Sequence, residues 1–251
     1  MEEDGVYDII QNMKYIYGPV KSRRLGSSLG ITLTPYKICS FNCVYCQLGK
    51  TTEKTIERKE YIPVQEVINE LNIWLQNNNL EAKNLNYITL SGSGEPTLNI
   101  KIDQLIAQIK KITAIPVAVI TNASLLNIDL VRRELLSADV IVPSLDTTTQ
   151  EIFAEIDRPQ ENIKIEELIN GLIALRREFR GKIWLEVMLV KGINDDLDQI
   201  RKLKDIIEKI NQDKIHLNSP IRVTSEENIL PVDKKRLQKF KEILGDKCQI
   251  L

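Results

Sequence analysis

Short apolar runs and longer amphipathic stretches alternate along the chain. The short runs are rich in β-branched residues, as strands require. In the longer ones apolar residues recur every three or four positions, as one face of a helix requires. The pattern predicts strands at 30–33, 86–91, 116–120, 140–142, 182–190 and 214–218. It predicts helices at 63–75, 100–112, 126–136, 165–179, 196–210 and 232–244. In the first of these Val64, Val67, Ile68, Leu71 and Leu75 share a face. A helix after each strand implies parallel strands joined by right-handed crossovers. Six such units fall short of a closed eight-unit barrel. The expected fold is therefore α/β, a partial (β/α)6 barrel, with an open doubly wound sheet as the alternative. No Gly/Ser- or Pro-rich linker divides the chain, so a single domain over 1–251 is expected, with a core at about 18–220 and a C-terminal helix and tail at 221–251.

The strands are not uniformly apolar, although strands buried on both faces should be. Thr89 and Ser91 share one face, as do His216 and Asn218, and Glu186 interrupts the run 184–190. Such groups are costly in a dry core, and a polar cavity inside the barrel accounts for them together. In parallel βα folds ligands bind at the C-terminal strand ends. Those ends carry Ser91-Gly92-Ser93-Gly94-Glu95-Pro96, Thr121-Asn122, Pro143-Ser144-Leu145-Asp146 and His216-Leu217-Asn218-Ser219.

Composition narrows the class. The 251 residues are 43% hydrophobic and 27% charged, and 34 basic residues meet 35 acidic ones for a net charge of −1. Disorder and low complexity are excluded, and no global field draws the chain to nucleic acid or membrane. Apolar runs such as 114–120 are far shorter than the ~20 residues of a membrane span. The acidic start MEEDGVYDII lacks a signal-peptide pattern, so the expected compartment is the cytoplasm.

Three of the four cysteines, Cys39, Cys43 and Cys46, form a C-x3-C-x2-C loop after the first predicted strand. In a reducing compartment, clustered thiols point to metal or redox chemistry rather than disulfides. Structural zinc and ordinary iron–sulfur cubes both want four ligands. A cube held by three thiolates leaves one iron open, which is a reactive arrangement. A zinc site completed by His216 or Cys248, or three unrelated buried thiols, also fits the spacing.

That loop, followed by five more βα units, resembles the radical S-adenosylmethionine (SAM) superfamily over about residues 18–220. The resemblance implies a TIM-like barrel and a [4Fe–4S] cluster on Cys39, Cys43 and Cys46, with SAM chelated at the open iron. It implies reductive cleavage of SAM to methionine and a 5′-deoxyadenosyl radical that abstracts hydrogen from a substrate. Within the superfamily, Gly18-Pro-Val-Lys-Ser-Arg-Arg-Leu-Gly-Ser-Ser-Leu-Gly-Ile31, Pro35-Tyr36-Lys37 and Tyr45-Cys46-Gln47-Leu48-Gly49 resemble the short uncharacterised Fe–S oxidoreductases grouped with wyosine tRNA-modifying synthetases.

The same resemblance directs Tyr45, Gly94, Glu95, Asn122, Ser144, Asp146 and Glu186 toward SAM. Glu95 lies in an element like Gly-Gly-Glu, with Ser93 where the superfamily has its first glycine. Taken as residues alone, these positions have plainer readings. The Gly-rich segment is a strand-to-helix turn. Asn122, Ser144 and Asp146 are helix N-caps, and Glu186 is a barrel salt bridge. Lys21, Arg23 and Arg24 read either as a cradle for an anionic substrate or the SAM carboxylate, or as a solvated loop. His216 reads as a hydrogen-bonded core group, Trp74 and Trp184 as packing, and Cys248 as a small buried hydrophobe. Arg176, Arg177, Arg180 and Lys182 complement a helix dipole.

The expected activity is that of a radical SAM oxidoreductase whose substrate is not legible. Its partners would be that substrate and an electron donor such as flavodoxin or ferredoxin, with no membrane and nucleic acid not favoured. Three alternatives stand beside it. Wyosine-type tRNA modification would need further cysteines for a second cluster, and only Cys248 is to spare. A glycyl-radical activase would not resemble this N-terminal stretch. A non-catalytic zinc or Fe–S binding module would lack SAM affinity.

Overall fold

Eight strands lie side by side in the order in which the chain makes them. They are β1 (Ile16–Ser22), β2 (Gly26–Thr32), β5 (Tyr87–Ser91), β6 (Val117–Thr121), β7 (Val140–Pro143), β8 (Lys182–Met188), β9 (Lys214–Asn218) and β10 (Cys248–Ile250). A separate two-stranded ladder, β3 (Ile38–Cys39) with β4 (Glu53–Lys54), brackets the cysteine loop. This computed structural model describes residues 13–251, and the acidic start of the chain lies outside the described residues.

Strands β2 and β5 to β9 are parallel and correspond to the six predicted. The helices between and after them are α1 (Val64–Asn77), α2 (Asn79–Ala82), α3 (Ile102–Ile112), α4 (Asp129–Leu135), α5 (Gln150–Ile156), α6 (Ile165–Glu178), α7 (Leu197–Ile210) and α8 (Lys234–Leu244). A doubly wound sheet reverses its strand order at a switch point. Here the order never reverses, and β1 and β10 stay at opposite ends of the sheet. The fold is a partial barrel with a mostly parallel sheet.

Two edge strands extend the expected six. β1 pairs antiparallel with β2, with Lys21 opposite Ser27 and Ser22 opposite Gly26. Its sequence IYGPVKS carries Gly18 and Pro19, which punctuate any strand pattern; an edge strand tolerates them because its outer N–H groups need no partner. β10 adds in parallel to β9 through Cys248 and Ile215.

The two faces of the sheet differ. Outward-facing Ile31, Leu90, Val119, Ile141, Leu185 and Leu217 are fully buried against Leu71, Ile106, Val131, Leu172 and Leu203 of the helices. Each such side chain contributes about 1.5–3 kcal/mol by leaving water. Trp74 and Cys248 belong to this layer, as packing residues. The inner face has a small separate cluster of Leu25, Ala118, Val140, Val142 and Trp184 that plugs one end. Its other members, Ser28, Thr89, Glu186, His216 and Asn218, are buried and polar.

Local chemistry fixes the helix ends. Asp196 caps α7, accepting from the N–H groups of Asp198 and Gln199 at 2.9 and 3.0 Å. In the last turn of α6, Arg176 donates to the carbonyl of Gly181 at 3.2 Å and pairs with Asp213 at 3.1 Å.

Candidate functional site

At the C-terminal strand ends lies a cavity of about 530 Å³. Among the predicted site residues, Cys39, Cys43, Cys46, Tyr45, Gly94, Glu95, Asn122 and Ser144 line it; Asp146 and Glu186 stand one layer behind.

The cysteine loop is held on three sides. Thr51 N–H donates to Asn42 Oδ1 at 2.8 Å and closes its base. Val44 N–H donates to the Ile156 carbonyl at 2.9 Å, and Asn42 N–H to that of Asp157 at 3.0 Å. Each sulfur has a polar neighbour. Lys37 Nζ is 3.0 Å from Cys46 Sγ, Asn122 Nδ2 is 3.5 Å from Cys39 Sγ, and Cys43 Sγ is 3.5 Å from Asp157 Oδ1. Burial pushes the Cys39 thiol up to about 12, and burial with the Asp157 carboxylate pushes Cys43 well above the ordinary thiol range.

Behind Cys43, the Tyr45 hydroxyl donates to Asp146 and, at 3.2 Å, to Asp157. Asp146 also accepts from Met188 N–H at 2.8 Å. Burial raises both carboxyls, Asp157 to about 7; the Asp157 charge pushes Asp146 further up, whereas hydrogen bonds from Cys43, Tyr45 and Asp146 hold Asp157 down. Asp146 therefore supports Tyr45 rather than capping a helix.

The turn after β5 packs against the cysteine loop backbone to backbone. Lys37 N–H donates to the Ser93 carbonyl at 2.7 Å and Glu95 N–H to the Ile38 carbonyl at 3.2 Å. A Cβ on Gly94 would sit 1.9 Å from that Ile38 oxygen, so only glycine fits. The Glu95 carboxylate is buried and filled. It accepts from Thr97 N–H at 3.0 Å, the Thr97 and Thr121 hydroxyls at 2.6 Å each, and Asn122 N–H at 2.8 Å. It ties the end of β6 to the turn after β5. Burial raises its pKa and these donors oppose the rise.

Neither Asn122 nor Ser144 caps a helix. The Asn122 side chain donates to Ser40 Oγ at 2.8 Å and accepts from Ser124 N–H at 3.0 Å, well before α4 begins at Asp129. Ser144 bridges to Glu186 through the backbone, and Thr149 occupies the N-cap of α5.

On the remaining wall, Arg24 reaches into the barrel and grips Glu186 with Nε at 2.8 Å and Nη2 at 2.7 Å. Asn218 Nδ2 donates to the same oxygen at 3.1 Å, and Arg23 Nη2 donates to Asn218 Oδ1 at 3.1 Å. His216 lies below, edge-on to Trp184 with ring centroids 5.6 Å apart. Its Nδ1 has no hydrogen-bond partner, contrary to the expected hydrogen-bonded core group.

The radical SAM superfamily is matched over residues 33–241. The chain belongs to the radical SAM superfamily. Members of this superfamily use a [4Fe–4S] cluster and SAM. The chain is 44% identical over 237 residues to a Brachyspira hyodysenteriae protein named GTPase Obg; the match covers 94% of this chain but spans only 34% of that protein. It is 36% identical to a UPF0026 protein of Methanocaldococcus jannaschii, over 93% of this chain and 73% of that one. Two solved structures show the same fold. TYW1 with a lysine-pyruvate adduct bound superposes with a TM-score of 0.66 at 19% identity, over 96% of this chain and 80% of that one. A radical SAM methyltransferase from Sphaerobacter thermophilus has a TM-score of 0.66 at 16% identity, covering 89% of this chain and 65% of the other.

The donor set of this radical SAM protein fits the cluster. Three soft thiols open into one cavity, and Cys39 and Cys43, which burial makes reluctant to ionise, become thiolates when a bound metal compensates their charge. Among the described residues no three His, Cys, Asp or Glu side chains converge on a single-ion site. His216 packs on Trp184 and Cys248 lies in the outer core, so neither completes a zinc site at the loop. Among the described residues no helix is long and apolar enough to cross a membrane.

Four residues at the site escape the sequence reading. Tyr17 stacks its ring over Gly30, and its hydroxyl meets Ser91 Oγ at 2.6 Å. Lys37 stands beside Cys46, Asp157 beside Cys43, and Arg222 lines the cavity. Only Lys37 had a signal, its place next to the cysteine loop.

Proposed function

We propose that this chain is a radical SAM enzyme that binds its cluster through Cys39, Cys43 and Cys46 and acts on a substrate held in the same cavity. One observation carries the reading. Three thiols from one loop open into a single cavity whose one lining carboxylate, Glu95, is already filled by four donors. Cys39, Cys43 and Cys46 would hold an inorganic centre through three protein ligands, which would leave SAM free to chelate it. Bound cluster and SAM together supply reductive carbon–sulfur cleavage and hydrogen abstraction from the substrate.

The chain's own residues bind and orient. Gly94 and Asn122 bring the strand ends to the cysteine loop, and Ser144 offers a hydroxyl to SAM. Tyr45, fixed by Asp146, presents its ring beside the cysteines. Glu95 holds the binding surface in shape, and Glu186 acts through Arg24. The partners are the substrate and a one-electron donor such as flavodoxin or ferredoxin.

The test is anaerobic reconstitution followed by iron, sulfide and SAM-binding measurements. About four irons and four sulfides per chain are expected. They should be lost in Cys39→Ala, Cys43→Ala and Cys46→Ala and retained in Cys248→Ala. Reduced wild-type protein with SAM should release 5′-deoxyadenosine. A cluster that survives all three loop variants, or reduced protein that never cleaves SAM, overturns the reading.

A further inference from the structure

One wall of the cavity carries charge that the protein does not neutralise. Lys21, Arg23 and Arg24 from the β1–β2 hairpin and Arg222 from the loop after β9 all line it. Glu186 is the carboxylate that meets them, and Arg24 holds it with two nitrogens at 2.8 and 2.7 Å. Glu95, the other carboxylate within reach of the cavity, is closed by its four donors. That leaves Arg23 with one bond to the neutral Asn218 at 3.1 Å and Arg222 with one to the neutral Gln47 at 3.2 Å. Among the described residues neither pairs with an acid.

We infer that Arg23 and Arg222, with Lys21 beside them, clamp an oxyanion of the substrate, a carboxylate or phosphate group on a small molecule. Three arguments support this. Two guanidiniums with unfilled planar forks match the geometry of a carboxylate or phosphate better than point charges would. Crowding like charges around a cavity is unfavourable without an anion. In keeping with that, burial, then Arg24 and Arg222, push the Arg23 guanidinium below its ordinary value. Finally, the charge is concave and local. A cavity of about 530 Å³ falls in the small-molecule range of roughly 300–1,000 Å³, whereas the whole chain carries a net charge of only −1. Arg24 is not part of the clamp, because Glu186 already holds it.

The inference rests on the proposed radical chemistry of this cavity and adds the chemical class of the substrate. It is tested on the reconstituted full chain with SAM bound, titrated with inorganic phosphate and separately with acetate. Binding is read by calorimetry and by the rise in thermal midpoint that a ligand of the folded state produces. At least one anion should bind, and which one does separates a phosphate from a carboxylate. Arg23→Gln and Arg222→Gln should each weaken that binding by at least about tenfold, with cluster content and SAM affinity at wild-type levels. Arg201→Gln, on α7 and outside the cavity, should bind the anion as wild type does.

Absence of binding by both anions overturns the clamp. Equal loss of SAM affinity in the two variants also overturns it, because the arginines would then serve SAM. A tRNA that binds more weakly to Arg222→Gln, with no competition from phosphate, would reassign these cations to a nucleic-acid backbone and overturn it too. If wild-type protein takes up neither cluster nor SAM, the proposed function fails instead, and anion titration of the cluster-free chain still reads the clamp.

Discussion

On the cysteine side of the cavity, the carboxylates that shape the wall are engaged. Glu95 receives four donors, Asp146 fixes Tyr45, and the backbones of the cysteine loop and the turn after β5 touch at Ile38 and Gly94. On the arginine side, Arg23 and Arg222 each spend a single nitrogen on a neutral partner and are exposed. The first wall suits a cofactor whose place never changes. The second keeps unspent donors for a group that arrives and leaves with each turnover. Substitutions should therefore cost stability on the first wall and ligand affinity on the second.

The largest effect is expected for Glu95→Ala. It strands two backbone N–H groups and two hydroxyls in a buried site, each worth about 1–3 kcal/mol when left unpaired. With partial relaxation, a loss of roughly 3–5 kcal/mol is expected by urea denaturation, with reduced cluster uptake. A variant as stable as wild type would show that the cysteine wall is not held by this carboxylate. Gly94→Ala comes next. Its new methyl meets the Ile38 carbonyl at 1.9 Å, so the turn and the cysteine loop must part. Overpacking of this kind costs about 1–3 kcal/mol, and iron content after reconstitution should fall with it.

Much of the fold was legible because a single pattern marked it. Outer-face residues such as Ile31, Leu90 and Val119 had to be apolar to meet the helices, so the six parallel strands showed as runs. The cysteine loop was legible for the same reason of locality, since its three thiols lie within one short segment. β1 was hidden because Gly18 and Pro19 break its pattern, and only its register with β2 makes it a strand. The role of Glu95 depends on donors from β6 that no local spacing reveals. Asp157 meets Cys43 across 114 residues of sequence, and Arg222 meets Gln47 across 175. The cap readings of Asn122 and Ser144 were reasonable by residue type, but the helices begin later, at Asp129 and Gln150.

Glu186→Gln sharpens the contrast on the arginine side. The pair with Arg24 is mostly buried, with side-chain exposures of 6% and 26%. Losing a charge-assisted bond there should cost about 1.5–3 kcal/mol. It should also release a third guanidinium into the cavity. Phosphate or acetate should then bind more tightly than to wild type, whichever of them the clamp prefers. Unchanged anion affinity would mean that Arg24 stays out of reach even when freed.

The smallest effect tests the floor beneath the arginines. His216 sits below Glu186 on the inner wall, packed on Trp184, and burial pushes its imidazole down to about 4 from an ordinary 6.5. Folded protein therefore keeps this ring neutral where the unfolded chain binds a proton. Stability is full above pH 6.5 and falls as pH drops toward 4, with a slope below about 1.4 kcal/mol per pH unit for one proton. At pH 5.5 the loss from this residue should be roughly 1 kcal/mol. The check is urea denaturation of wild type and His216→Phe between pH 5 and 8. Carboxylates remote from the ring contribute equally to both proteins, so the difference between the two curves reports the ring together with its interaction with Glu186. Phenylalanine should flatten the acid limb whatever its effect at pH 8. Parallel curves would mean that water reaches His216, and the floor of the barrel would then be wet on the arginine side.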